Sequence, residues 1–393
     1  MKSIIIVGAG IVGLATAFQL READSKLEIT VVEKEQAIGL HQTGRNSGVI
    51  HSGIYYLPGS AKARNCREGR RLLLDFCRRF GVSHEVCGKV IVATCRDELP
   101  RLQTLRQRGV ENGVVCRSIG VDELAELEPH ARGIGALHVE DAGIVDYRGV
   151  CQALAEQFGG RLMTGAEVVE IVDERPLRIE TTLGTLRGDY LINCAGLQCD
   201  RVCERAGSPV PLKIVPFKGE YFRVKEEARH LCRHLIYPVP DPRFPFLGVH
   251  LTRMIDGGLE VGPNAVLALG REAYGKADFN LLDLCEILSY SGFLRLASRH
   301  WKMGLREMHR SWSKKAFVEA LNRLCPELKE EHLLPAPSGI RAQALRSDGT
   351  LEDDFRFVEG PRSLHVLNAP SPAATASLSI GKTVADKVLK ALT

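Results

Sequence analysis

Several features that would take this chain out of the ordinary globular enzymes are missing. Its twelve cysteines are scattered, with no C-x-x-C pair and no regular framework, which excludes a disulfide-stapled scaffold and reads as reduced thiols in a cytosol. The longest nearly apolar run, Ile4 to Phe18, carries three glycines and falls short of the roughly 20 residues that a membrane span needs. Charge of one sign is also lacking: 52 Lys and Arg against 48 Asp and Glu leave +4, too little to neutralise a phosphate polymer along a whole surface. With no aromatic-stacking module either, a nucleic-acid partner is not expected. Met1 and Lys2 lead into a strand pattern rather than a signal peptide, so the expectation is a cytoplasmic protein. No internal repeat or low-complexity tract appears.

What is present describes a large globular protein. The 393 residues imply two or three packed units or one interleaved pair, and 45% hydrophobic with 25% charged residues provide a real core. Ser3-Ile-Ile-Ile-Val7 is a continuous aliphatic run, as in a buried parallel strand, and Leu27 to Glu33 is a second one beyond a helical pattern. Together they make a βαβ unit. The spacing of Leu72, Leu73, Phe76 and Phe80 predicts an amphipathic helix over 61–80, followed by a strand over 90–94 and a helix over 98–108. From Lys213 onward, short strands (221–224, 246–251, 259–262) predict a mostly antiparallel sheet, and helices fill 281–324. A strand over 363–367 and a small-residue helix from about 374 to 392 return to the first domain. The fold class is therefore α/β with an α+β second domain: a Rossmann-like dinucleotide domain (1–85, 146–212 and 335–393) interleaved with a mostly antiparallel-sheet substrate domain (86–145 and 213–334).

Gly8-Ala-Gly10-Ile11-Val12-Gly13 follows a strand and opens a helix, and Glu33 lies twenty positions beyond Gly13 at the end of the next strand. These glycines permit a tight turn, close approach of backbone to a pyrophosphate and close helix packing, while the acid suits a ribose hydroxyl. The motif serves FAD and NAD alike. A glycine-rich loop over 39–53 offers Thr43, Arg45, Asn46 and Ser47 as further polar contacts for an extended cofactor, or is an ordinary surface loop.

The chain's start, the stretch Arg45-Asn-Ser-Gly-Val-Ile-His-Ser-Gly-Ile-Tyr-Tyr-Leu-Pro-Gly-Ser-Ala-Lys-Ala63, the strand ending Asn193-Cys-Ala-Gly196, and Ile340-Arg-Ala-Gln343 resemble the D-amino-acid-oxidase type of FAD-dependent oxidoreductases. Within that group they are most similar to the L-2-hydroxyglutarate dehydrogenases. The resemblance implies FAD, oxidation of L-2-hydroxyglutarate to 2-oxoglutarate, and electron delivery to a membrane quinone or other respiratory acceptor. An oxygen-using oxidase of the same or another 2-hydroxy acid, or of an amino acid, is the alternative. The cofactor contacts implied add Lys34, Val168, Ala195, Gly196, Gly339, Arg341, Ala373, Ala374 and Thr375 to those above. One stretch departs from the pattern: many wider relatives carry glycine and histidine in the loop before the last helix, where this chain reads Ala369-Pro-Ser-Pro-Ala-Ala-Thr375.

Oxidising a 2-hydroxy acid requires removal of the hydroxyl proton as hydride leaves the α-carbon, and His51 is the first candidate base. A dicarboxylate brings two charges out of water, so cations and donors must meet it. Lys218, His250 and Arg341 are the candidates, with Tyr237 as a phenolic donor or a packing residue. Cys194, Cys199 and Cys203 fit no usual zinc spacing, and no metal is expected.

Between Arg295 and Lys315, seven cations face one acid, Glu307, for a local charge of +6, which leaves −2 for the rest. Leu294, Ala297, Trp301, Leu305, Met308, Trp312 and Ala316 recur at three- and four-residue steps, and both tryptophans of the chain are among them. Two arrangements fit 294–316: a helix lying in the headgroups of an anionic membrane, peripheral on the cytoplasmic face of the inner membrane, or one whose tryptophans pack into the second domain across the interruption at Gly304.

Overall fold

The aliphatic run Ser3–Val7 becomes a central strand of a mostly parallel sheet, as its lack of polar alternation requires. The computed structural model describes residues 1–241 and 247–392. Among the described residues this sheet has six strands, in the order Arg356–Gly360, Ser363–Asn368, Tyr190–Asn193, Ser3–Val7, Glu28–Val32 and Arg161–Met163, with only the first pair antiparallel. Strand alternation sends Ile4 and Ile6 into a core shared with the helices Ile11–Ala23 and Ser377–Leu392. Ile5 and Val7 point the other way, against Val168, Leu177 and Ile179 of a small antiparallel sheet. Both faces are covered, so an unbroken apolar run is what burial demands.

A second sheet of eight strands, again among the described residues, contains Lys89–Ala93, Leu235–Pro238, His250–Arg253 and Leu259–Gly262. All its neighbours are antiparallel except Leu235–Pro238 with Lys89–Ala93. Between the two sheets, Leu212–Gly219 and Gly339–Arg346 pair over their whole length.

The helix over Ala61–Phe80 forms where periodicity places it. Ser60 Oγ accepts from Ala63 N at its start, and Gly81 ends it at φ 69°. Elsewhere the boundaries move. The strand expected over 246–251 runs from His250 to Arg253, and Phe246 lies outside the described residues. The last helix begins at Ser377 rather than 374, because turns occupy 371–376.

The helix Ser291–Trp312 bends at His300, not at Gly304. Gly292 and Leu296 are its buried residues, whereas Trp301 is 57% and Trp312 75% exposed, with Leu294, Leu305 and Met308 exposed beside them. The arrangement in which the tryptophans pack inward is therefore not adopted: the segment is held at its first turns, and its stripe faces outward. Among the described residues no helix is long and apolar enough to cross a membrane.

Candidate active site

After Val7 the chain turns at Gly8, whose φ is 105°. A Cβ there would lie 2.5 Å from the Cys194 carbonyl oxygen, and one on Gly13 would lie 2.0 Å from that of Gly8, so strand, turn and helix close up only with glycine. Gly10 is different: a Cβ would meet Thr43 Oγ1 at 3.4 Å and otherwise project into a cavity. Thr43 Oγ1 accepts from Ile11 N at 3.1 Å, capping the first helix from a distant loop. Glu33 is buried, with its two oxygens accepting from Ala9 N (2.8 Å) and Glu35 N (3.0 Å), and it still borders the cavity.

That cavity has a volume of about 1270 Å³, above the roughly 300–1,000 Å³ of a pocket for one small ligand. It is lined by Gly8, Gly10, Ile11, Val12, Glu33 and Lys34, by Thr43, Arg45, Asn46 and Ser47, and by Val168, Ala195, Gly196, Gly339, Ala373 and Ala374. His51, Tyr237, His250 and Arg341 line it too. Three of the sequence candidates do not. Gly13 is spent on helix packing. Thr375 is fully buried, and its Oγ1 accepts from His51 N at 3.1 Å and shares a hydrogen bond with Tyr147 Oη at 2.9 Å, so it fixes the backbone of His51. Lys218 pairs in register with Ile340 and donates to the Gly275 carbonyl at 2.9 Å, on the sheet face opposite Arg341.

A strap across the cavity rim was not legible in the sequence. Lys34 forms ion pairs with Glu35 and, at 2.9 Å, with Glu272. His41 lies 3.0 Å from Glu35 and 2.7 Å from Tyr274 Oη, and the Arg45 guanidinium sits 4.0 Å above the Tyr274 ring. Glu35, His41 and Glu272 cluster as metal ligands do, but both carboxylates are already engaged in ion pairs with Lys34.

At the other end, Tyr237 and His250 stack with ring centroids 3.9 Å apart. The Gly248 carbonyl lies 2.9 Å from His250 Nδ1, which places that nitrogen's proton and leaves Nε2 as acceptor. Burial pushes His51 down to about 3, assisted by Lys89, and His250 down to about 4, assisted by Arg341 and Lys89 against the opposing Gly248 hydrogen bond. His51 and Arg341 keep accessible surface toward the cavity and are otherwise enclosed by protein. Arg341 Nη1 donates to the Asn264 carbonyl at 3.4 Å; burial lowers its pKa, and Tyr221 and Glu307 oppose that. A guanidinium remains charged under such a shift. Tyr55, Tyr56, Tyr147 and Tyr221 also line the cavity. Tyr55 and Tyr56 belong to the most distinctive stretch of the sequence, and that was the signal available for them.

Residues 3–387 match the family described as FAD dependent oxidoreductase. The chain belongs to this family. It is 48% identical over 393 residues to the L-2-hydroxyglutarate dehydrogenase of Indibacter alkaliphilus, covering 98% of each chain, and 45% identical to that of Escherichia coli strain K12, covering 99% of this chain and 93% of the relative. Among solved structures, the FAD-bound L-alpha-glycerophosphate oxidase of Mycoplasma pneumoniae shares the fold, with a TM-score of 0.79 at 22% identity over 100% of this chain and 95% of that one. As an FAD-dependent oxidoreductase the protein takes FAD as cofactor, and its residues fit that group. Gly10 leaves bare backbone facing the cavity, and Glu33 retains lone pairs for a ribose hydroxyl. The space exceeds what a small substrate needs alone.

Proposed function

We propose that this FAD-dependent oxidoreductase oxidises L-2-hydroxyglutarate to 2-oxoglutarate and passes the electrons to a membrane quinone or another respiratory acceptor. The observation that carries the reading is 45–48% identity, over nearly the whole chain, to proteins named L-2-hydroxyglutarate dehydrogenase. Bound FAD supplies the acceptor for the hydride leaving the α-carbon. Arg341 holds one carboxylate by charge-assisted hydrogen bonds, and Tyr237 and His250 form the wall beside it. His51 accepts the hydroxyl proton. Its depressed pKa keeps it neutral and able to accept in the empty site, and the two negative charges of the substrate then favour the imidazolium that results.

The same reading divides the chain into a cofactor domain (1–85, 146–212 and 335–393) and a substrate domain (86–145 and 213–334). In support, every strand of the six-stranded sheet falls in the first set, and all of the eight-stranded sheet but Pro335 falls in the second.

Delivery to a quinone calls for contact with an anionic membrane, and the Ser291–Trp312 helix supports one. Its outward stripe of Leu294, Trp301, Leu305, Met308 and Trp312 is flanked by cations, and Leu281, Leu282 and Leu288 of the preceding helix are exposed as well. Each cation near such a surface contributes about 1 kcal/mol.

The test is the visible spectrum of the anaerobic protein before and after addition of L- or D-2-hydroxyglutarate. Bleaching of the flavin band by the L isomer alone is expected. A flavin spectrum that neither isomer changes would overturn the substrate assignment.

A further inference from the structure

Behind the wall of the cavity lies a cation to which the proposed reaction gives no part. Lys89 opens a strand of the eight-stranded sheet and is 1% exposed. Its Nζ sits 4.5 Å from the centre of the Tyr55 ring and 4.9 Å from that of Tyr237, and among the described residues it has no hydrogen bond and no carboxylate partner. Ring faces attract a cation, but two of them do not replace the counter-ion that a buried ammonium normally requires. The Tyr55 hydroxyl is likewise buried without a hydrogen-bond partner among the described residues. Tyr55, Tyr237, His51 and His250 all line the cavity, so an anion there would stand one side chain away from Lys89.

We infer that Lys89 is a positioning residue for a dianionic substrate, its ammonium being a charge in the empty enzyme whose balance the bound dicarboxylate completes through the Tyr55 and Tyr237 wall. The inference rests on the reading of the substrate as a dicarboxylate.

The groups that face Lys89 leave it alone to titrate near neutrality. From its own sheet comes Tyr237; from the loop before the Ala61–Phe80 helix come His51 and Tyr55; from that helix comes Cys66; and His250 stacks on Tyr237. His138 on the neighbouring strand pairs with Val90 and so points to the other face. His51 and His250 sit at about 3 and 4, Cys66 is raised to about 12, and both tyrosines are raised, whereas burial brings Lys89 down to about 7. A dianion favours the ammonium form. Affinity is then greatest below the free-enzyme pKa of Lys89 and declines as pH rises through it.

The experiment measures KM and kcat separately between about pH 6 and pH 9 for wild type and Lys89→Met, with flavin content as the check on folding. For wild type, KM for L-2-hydroxyglutarate should rise about tenfold across that range while kcat changes little, and Lys89→Met should show a high, pH-independent KM. A flat wild-type KM, or the same slope in Lys89→Met, would overturn the inference. Should the variant lose its flavin, wild type decides alone: KM for a 2-hydroxy monocarboxylate must rise less steeply than KM for the dicarboxylate, and equal slopes would overturn it. Failure of the substrate reading looks different, since no flavin reduction by L-2-hydroxyglutarate would then occur at any pH.

Discussion

Lys218 and Arg341 stand on paired strands yet face opposite sides of one sheet. Phe217 pairs with Arg341 and Lys218 with Ile340, so one register step separates a cation in the cavity from one tied to the Gly275 carbonyl.

The two cations should therefore respond differently to removal. Arg341→Met is expected to lower kcat/KM by about a hundredfold or more, since a buried charge pair with substrate is lost. Lys218→Met should change it less than about threefold and cost about 1 kcal/mol of stability through the unpaired Gly275 carbonyl. Anaerobic substrate titrations and thermal unfolding of both variants check this. Equal losses of kcat/KM would refute the division.

Gly13→Ala should yield protein without a flavin absorption band, because the new Cβ falls 2.0 Å from the Gly8 carbonyl oxygen. Gly304→Ala is the matched control. Nothing lies within 4 Å of a Cβ there, and replacing glycine in a helix should stabilise by about 0.5–1 kcal/mol with flavin retained.

His51→Ala should keep the flavin and slow its reduction by about 10²- to 10⁴-fold, the usual contribution of a positioned base. In wild type, kcat/KM reports the free enzyme, in which His51 loses its proton at about 3. The acid limb should therefore show no inflection at the ordinary histidine value of about 6.5, and activity should persist until His51 protonates well below it. Rapid-mixing measurements of flavin reduction against pH provide the readout.

Trp301 and Trp312, the two tryptophans of the chain, both lie on the exposed stripe, so tryptophan emission reports on that surface alone. Anionic vesicles should shift the emission to shorter wavelength at low salt, and about 0.5 M salt should reverse the shift. Replacing both tryptophans by alanine should abolish vesicle binding and leave flavin reduction in solution unchanged. Unshifted emission at low salt would count against membrane contact.

The sequence alone determined the parts whose logic is local. Continuous aliphatic residues over Ser3–Val7, glycines at 8, 10 and 13 and the apolar periodicity of 61–80 act through neighbours along the chain, and each formed as its pattern required. Tertiary structure decided which faces and partners these elements met. Thr375, expected among the cofactor contacts, holds the backbone of His51 instead of lining the cavity; Lys34 and Glu272 join a strap across 238 positions; and Lys89, the first residue of an apolar strand, lies among the aromatic rings behind the site. The stripe over 294–316 makes the same point. Its periodicity established that one side of a helix is apolar, but what covers that side depends on the rest of the fold, and there the helix buries only Gly292 and Leu296 and is tied further along by polar contacts at Glu307 and Ser311, leaving the stripe exposed.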